Sequence, residues 1–459
     1  MKKIMSILSF ALILSANDSI NSGALSLSEA LELLESQNLE IKAANYDVQS
    51  AKAKKDTISG MNWGKLTFEQ DVARSNDAGN VFGFKLTSRE ADFNDFGFDE
   101  FLAQMGGLPG NSAQLLATQP KNLNYPDDRN FFQSKLKYEV PLFTGFALSS
   151  YSHIMDEMTK IKSLDKEKTT TEKKYELKKS FYDMALLDSS IKNLNKILNN
   201  IKTLEETTKT MIDVGYAKKV DLLEVQAKKG NVERLLIQMR ANKKLLYHYI
   251  SFLLNQQVTA IIPPKAEVPT PSFSDEEVLS RNIDIKKAKE GLEIRKSMLD
   301  ASQAGYYPVV GAFGEVATAD DTFLGDANDH KAYTVGARLT WNIFNGGIDS
   351  AKIEKSKIEK MKMRAQLELA KKGIALKTAK IRTEIESADA QIASLKRELD
   401  LANAIYENYE GRYKEKLVSM SDVIIKQSAQ IEKILKLQMA KNKRIEKIFE
   451  LEKIANGEK

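Results

Sequence analysis

The feature that most constrains this chain is that it repeats itself, and a fixed internal offset has to be read before any single element. Val140-Pro141-Leu142-Phe143-Thr144-Gly145 resembles Trp341-Asn342-Ile343-Phe344-Asn345-Gly346, and Phe143 lies 201 residues before Phe344. Val220-Asp221-Leu222-Leu223-Glu224-Val225-Gln226 resembles Ser421-Asp422-Val423-Ile424-Ile425-Lys426-Gln427, again 201 residues apart. A third match, Asn38-Leu39-Glu40-Ile41-Lys42 against Asn282-Ile283-Asp284-Ile285-Lys286, has an offset of 244. The first copy therefore carries 43 extra residues between its opening helix and its Phe143 motif. They fall in a polar stretch rich in Gly, Asn and Asp, about 75–130, whose composition predicts a long exposed loop. The matching loop of the second copy is short, about 319–331. Four of the nine prolines, Pro263, Pro264, Pro269 and Pro271, mark an extended linker between the copies. The predicted divisions are 25–262 for repeat 1, 263–273 for the linker and 274–459 for repeat 2.

Each copy reads as helix, two strands, then two long helices. From Phe131 to Leu142 the residues Phe132, Leu136, Tyr138, Val140 and Leu142 fall on one face, and Gln133, Lys135, Lys137 and Glu139 on the other. Tyr333, Val335, Ala337, Leu339, Trp341 and Ile343 alternate in the same way with Thr334, Arg338, Thr340 and Asn342. Period two over such a length predicts strands. It fits the apolar-out, polar-in pattern of membrane barrel strands, which need about 9–11 residues. The partner strands, Lys65 to Ala73 and Tyr307 to Val316, are weaker. Both patterned strands run into glycine, Gly145 or Gly346-Gly347, and then into helix. Ala147 to Met211 has no Gly or Pro, and Ile348 to Tyr413 has only Gly373 and Gly411. At about 1.5 Å per residue each run could reach roughly 100 Å. Apolar residues at 3/4 spacing, such as Leu177, Phe181, Met184, Leu187 and Ile191, predict coiled-coil seams. The helices turn near 214–221 and 415–422 and return over Val220–Leu254 and Asp422–Ile454. Asp221 and Asp422 are placed as helix N-caps or first-turn acids.

Composition removes other classes. Charged residues make up 29%, and no run after the N-terminus approaches 18 apolar residues, so a polytopic helical membrane protein is excluded. Cysteine is absent, which excludes disulfides and thiolate chemistry. The net charge is +5, with lysines and glutamates interspersed along the helices, a solvated surface rather than a nucleic-acid patch. Lys2 and Lys3 precede an apolar run, Ile4 to Leu14, followed by small residues. That order predicts a signal peptide over 1–24, cut after Ala16 or Ala24. His153, His248 and His330 show no paired spacing and read as surface or packing residues, so no metal site is expected. No Gly-Lys-Ser/Thr phosphate loop and no catalytic constellation occur, and neither enzyme activity nor a cofactor is expected.

Four strands cannot close a barrel, whose smallest membrane forms have about eight, and open edges cannot face lipid. Strands that span a membrane here must be pooled by an oligomer. In its tandem repeat, its strand-end motifs Pro141-Leu142-Phe143-Thr144-Gly145 and Ile343-Phe344-Asn345-Gly346-Gly347, and its two helix-turn tips, the chain resembles the TolC-like outer-membrane efflux proteins over nearly its whole mature length. The resemblance implies an α+β fold, mostly α: long antiparallel coiled-coil hairpins plus four transmembrane strands that pool into a homotrimeric twelve-stranded barrel. It implies an outer-membrane exit duct extending into the periplasm, for efflux or type I secretion. Its partners would be a periplasmic adaptor (membrane fusion) protein, an inner-membrane pump of RND or ABC type and outer-membrane lipid. It also implies a gate at the helix tips, with Asp422 at the position of an acidic ring and Tyr413 and Asp221 at a polar tie. A second ring acid is replaced by Ile425 and a tie-forming arginine by Val418, implying a less charged and less latched gate. The adaptor-docking tips would be Val214, Gly215, Tyr216 and Lys218 in repeat 1, and Lys416, Leu417, Val418 and Ser419 in repeat 2. The strand-to-helix junctions are Phe143 with Gly145, and Phe344 with Gly346 and Gly347. Two other readings stand beside this one: a soluble periplasmic coiled-coil adaptor or scaffold, which would not need long alternating strands, and a diffusion porin, which would be mostly strand.

Overall fold

A computed structural model describes residues 24–106, 112–264 and 267–457. The predicted signal peptide, but for Ala24, lies outside the described residues. Twelve helices and four strands follow one another among them. The first copy holds α1 (Leu27–Gln37), α2 (Leu39–Gly60), β1 (Lys65–Ser75), α3 (Ala78–Thr87), α4 (Phe98–Met105), α5 (Ser112–Leu116), α6 (Lys121–Asn124), β2 (Arg129–Phe143), α7 (Ala147–Asp213) and α8 (Lys219–Leu254). The second holds α9 (Asp275–Arg281), α10 (Ile283–Gln303), β3 (Val309–Asp320), β4 (Lys331–Thr340), α11 (Ile348–Lys414) and α12 (Met420–Ala455). No helix among the described residues is long and apolar enough to cross a membrane.

The two long hairpins match in length: α7 and α11 have 67 residues each, and α8 and α12 have 36 each. Both returning helices end on an asparagine in the left-handed region, Asn255 at φ 49 and Asn456 at φ 50. Asparagine tolerates that conformation at a helix C-terminus better than most residues. The opening helices differ by one turn, 11 residues in α1 against 7 in α9, and both start on a Ser–Glu capping box.

The chain divides into two compact units. One contains residues 24–46, 164–286 and 369–457 and is held by helix packing. Its largest apolar cluster joins the ends of both hairpins: Leu194, Ile201 and Leu204 from α7, Val225 and Val232 from α8, Tyr406 and Tyr413 from α11, and Met420 and Val423 from α12. A second cluster packs Ala30 and Leu34 of α1 on Phe181 and Met184 of α7 and on Ile250 and Leu254 of α8. A third repeats that arrangement with α9, α11 and α12, and draws in Val268 and Phe273 from the predicted linker. The linker is therefore partly core, not merely a spacer.

The third sequence match has a structural cause. Asn38 and Asn282 interrupt the opening helices, and both are buried. The Asn38 amide donates to the Leu253 carbonyl at 2.8 Å, while its oxygen accepts the Ile41 N–H at 3.0 Å. Asn282 does the same with the Ile454 carbonyl at 2.9 Å and the Ile285 N–H at 3.1 Å. Each asparagine caps its own second helix and ties it to the end of the returning helix of its repeat.

The other unit contains residues 47–163, apart from the undescribed stretch, and 287–368, and holds one antiparallel sheet in the order β1-β2-β3-β4. Register puts like with like. Leu66, Phe68 and Val72 stand opposite Tyr138, Leu136 and Phe132. Leu136 stands opposite Val316, which faces Tyr333, and Val310 faces Leu339. The reverse face pairs Lys65 with Glu139, Glu69 with Lys135 and Lys137 with Glu315. Pro141 sits in the inner strand β2 only because the ladder to β3 shifts between Pro141 and Phe143, the irregularity at which proline is tolerated.

Two expectations differ. β4 ends at Thr340 rather than running on to Ile343, and β3 starts at Val309 and extends to Asp320. The extra stretch of the first copy, expected as loop, folds into the short helices α3 to α6. Its turn residues do mark breaks, but Asp77 accepts the Asn80 N–H at 3.0 Å as an N-cap. Buried Val81 and the stacking of Phe84 on Phe131, with centroids 4.3 Å apart, then fix α3 on the strand beneath.

Asn38→Ala or Asn282→Ala should lower stability by about 1–3 kcal/mol, because a buried carbonyl and a helix N–H both lose their partner. Urea unfolding followed by circular dichroism at 222 nm measures it; an unchanged midpoint would contradict this role.

Candidate functional site

Two regions stand out: the hairpin tips and the strand sheet. At the first tip Gly215 takes φ 76, and at the second the equivalent residue is Lys416, at φ 67. Both turns close with the same bonds: the Tyr216 N–H reaches the Met211 carbonyl at 2.7 Å, and the Leu417 N–H reaches the Arg412 carbonyl at 2.8 Å. A lysine in this conformation costs about 1 kcal/mol relative to glycine. Its ammonium sits 3.3 Å from the Tyr216 ring centroid, and a cation–π contact of about 0.5–1 kcal/mol offsets most of that cost. The contact joins the two tips. Val214, Gly215, Tyr216, Lys218, Lys416, Leu417 and Ser419 are all exposed, while Val418 is half-buried against the apolar cluster.

The two tip aspartates act on the backbone. Asp221 accepts the Lys218 N–H at 2.7 Å. Asp422 accepts the Ser419 N–H at 3.1 Å and its hydroxyl at 2.5 Å, while Ser419 accepts the Asp422 N–H at 3.2 Å, a complete capping box. These Ser419 bonds hold the Asp422 carboxyl below the usual carboxylate range, so it stays charged. Tyr413 is buried and its hydroxyl lies 3.4 Å from Thr208, not hydrogen-bonded to Asp221. Burial pushes the Tyr413 phenol up, with the negative charge of Asp221 adding to it. The two predicted tie residues are thus electrostatic neighbours with separate hydrogen-bond partners. Ile425, in place of a second acid, is exposed.

Sequence reasoning missed a polar pair one turn deeper. The matched glutamines Gln226 and Gln427 each reach across their own hairpin. Gln226 donates to Glu205 at 3.3 Å, and Gln427 donates to the Tyr406 hydroxyl at 3.3 Å. Glu205 and Tyr406 are themselves 201 residues apart. Only the glutamine was legible, because the partner changed type. Glu205 is 8% exposed, and Lys229 at 2.9 Å and Lys209 at 3.2 Å hold it charged. The Lys229 hydrogen bond is the main cause that brings its carboxyl down to about 2.

The strand-to-helix junctions use two successive left-handed residues: Gly145 and Phe146 at φ 61 and 67, and Gly346 and Gly347 at φ 68 and 85. A Cβ on Gly145 would lie 2.8 Å from the Ala304 carbonyl oxygen. Phe146 is the residue that sequence did not flag. Its strain is offset by edge-on packing with Phe143 at 5.2 Å and Tyr307 at 5.4 Å. Phe344, the partner of Phe143 in the repeat, is exposed.

The sheet exposes its apolar face. Leu66, Phe68, Val72, Tyr333, Val335 and Leu339 are each more than three-fifths exposed. β1 and β4 are both edges, 11 and 10 residues long. A soluble protein blunts such edges, and these carry apolar side chains instead. On the reverse face Phe313 sits under the Arg338 guanidinium at 6.0 Å, and its ring occupies the space that a Cβ on Gly336 would need.

Residues 276–456, nearly all of the second repeat, match the sequence model of the family described as Outer membrane efflux protein. The match covers about two-fifths of the chain. A candidate multidrug resistance outer membrane protein, MdtQ, of Shigella flexneri is 24% identical over 214 residues, 43% of this chain and 44% of that protein. Its Escherichia coli counterpart matches equally. The chain thus spans under half the length of the curated relatives it matches. Solved structures extend the likeness in fold to almost every residue. CusC, described in terms of transmembrane channel formation, has a TM-score of 0.77 at 14% identity, covering 97% of this chain and 95% of that one. The outer membrane protein VceC of Vibrio cholerae has 0.75 at 13%, covering 94% and 96%. The open state of the Neisseria gonorrhoeae MtrE outer membrane channel has 0.73 at 12%, covering 96% and 94%. The fold itself is mostly helical, with helical hairpins and a small antiparallel sheet.

One group of histidine and carboxylate side chains among the described residues could hold a metal ion: Glu90, Asp320 and His330. His330, expected as a surface or packing residue, is mostly buried there.

The depressed Glu205 carboxyl has a pH consequence. A lowered folded value contributes stability above the unfolded value, near 4.5, that is lost as pH falls toward about 2. Glu205→Gln should therefore be less stable than the parent at pH 6, with the gap narrowing between pH 4.5 and 2. Thermal melts across that range test it; a pH-independent gap would refute it.

Proposed function

We propose that this chain is the outer-membrane exit duct of an efflux or type I secretion system, exporting cargo from inner-membrane machinery to the outside. The observation that carries this is the four-stranded sheet with an exposed apolar face and two unblunted edges. In lipid an unpaired edge group costs several kcal/mol, so β1 and β4 must each find a strand. Pairing β4 of one copy with β1 of the next is a head-to-tail contact, and such contacts close into rings. Three copies give twelve strands, an even number within the known range of barrels. The apolar face meets lipid, and the face bearing Lys135, Lys137, Glu139 and Arg338 lines water. In the trimer the hairpins form a periplasmic tunnel wall.

The adaptor reading is not favoured, because it leaves the apolar face and the long edges without a use. Partners follow from the same reading. The exposed Val214, Tyr216 and Leu417 at the tips suit docking by a periplasmic adaptor protein, which links the duct to an inner-membrane pump. No catalytic role is assigned to the chain, and the pump supplies energy. Asp422, charged and repeated three times around the ring, would favour cations at the tip, with Asp221 and Tyr413 holding the turn beside it. The segment 1–24 would direct export.

Two experiments test this. Outer-membrane fractions should contain a trimer that dissociates only on heating before electrophoresis; a purely soluble monomer would overturn the reading. In planar bilayers Asp422→Asn should lower the preference for cations by severalfold, and unchanged selectivity would remove Asp422 from that role while leaving the duct intact.

A further inference from the structure

A cluster of side chains at the β3–β4 turn is one that the duct does not require. Asp320 closes β3, and His330 immediately precedes β4. Glu90 comes from the 43-residue addition of the first repeat, just after α3. One ligand atom from each of the three lies within 4.8 Å of the others. The Asp320 and His330 side chains are 9% and 11% exposed, with Asp320 Oδ2 3.8 Å from His330 Nδ1. That distance is too long for a hydrogen bond, and Nδ1 is buried without any partner. A buried ring nitrogen left unpaired costs about 1–3 kcal/mol.

The surroundings are those of a ligand set. Asp320 is fixed from behind by the backbone N–H groups of Asp321 and Asp326, each at 2.6 Å. Such outer bonds orient a ligating carboxylate. Glu90 and Asp321 add two negative charges, and Arg129 returns one positive charge, paired with Glu90 and 3.9 Å from Asp321. With neutral His330 the group carries a net charge of −2, counted over Glu90, Asp320, Asp321 and Arg129, which suits a dication. One imidazole nitrogen and two carboxylates select a borderline ion of the zinc type over calcium or magnesium, which take oxygen alone. Metal–ligand bonds of about 2.0–2.2 Å set ligands roughly 3.4 Å apart in a tetrahedron. Closing from 4.8 Å asks about 1 Å of movement, within the reach of the exposed Glu90 side chain.

We propose that Glu90, Asp320 and His330 form a binding site for a divalent zinc-type ion that staples the added segment of the first repeat to the β3–β4 turn of the second. Isothermal titration of the purified full chain in detergent with zinc chloride should give one site per chain, with a dissociation constant in the micromolar range. His330→Asn and Glu90→Gln should each weaken it at least tenfold. Glu90 lies outside the strands, so its variant keeps the fold even if His330→Asn does not. A second readout is independent of affinity. Arg89 is exposed beside Glu90, and zinc should slow tryptic cleavage after Arg89 in the parent but not in Glu90→Gln. Equal zinc affinity in parent and Glu90→Gln, or cleavage after Arg89 that zinc leaves unchanged, would overturn the proposal.

Discussion

The structure depends on what to do with the backbone groups at the two edges of a four-stranded sheet. Water satisfies such groups at no great cost, but hydrocarbon does not. The side chains of β1 and β4 narrow the choice, because Leu66, Phe68 and Val72 on one and Tyr333, Val335 and Leu339 on the other make most of one face apolar and exposed. On the duct reading proposed above, a chain with these strands is incomplete by itself, and copies have to meet.

The helical unit solves a different problem, which is to keep long thin helices in one register. Among the described residues its cores are separate: one at the tips, one where each opening helix packs on its own hairpin, and a small one of Ile392, Leu395 and Ala440. Polar groups fix the register between them. Asn38 and Asn282 pin the opening helices, and Gln226 and Gln427 cross the hairpins near the tips. Each is a directional bond, which apolar seams of Leu and Ile cannot supply.

Much of this was legible in the sequence. Period-two alternation marked β2 and β4 because successive side chains on a strand point to opposite faces, and here one face is mostly apolar and the other polar. The absence of Gly and Pro marked α7, and the shared offset aligned the tips. Other features were illegible for physical reasons. α3 to α6 were hidden because their stability comes from capping and from packing such as Phe84 on Phe131, not from periodicity. Phe146 was hidden because a left-handed residue normally announces itself as glycine, and here aromatic contacts carry the strain. Glu205 and Tyr406 were hidden because equivalent positions kept their hydrogen bond while changing chemical type. Glu90, Asp320 and His330 were hidden because nothing in one dimension places residues 230 or more apart side by side.

The two tips have the same backbone and different side chains: Gly215 and Tyr216 on one, Lys416 and Leu417 on the other. The two tips are thus alike in backbone but not in chemistry. In a ring of three chains the tips would number six by shape and three by composition. Anything that docks there by shape alone could bind in two rotational settings, and anything that reads Lys416 or Tyr216 could bind in one. A single substitution at a tip would then act as a vernier, altering every second position of the ring while the others stay as they were.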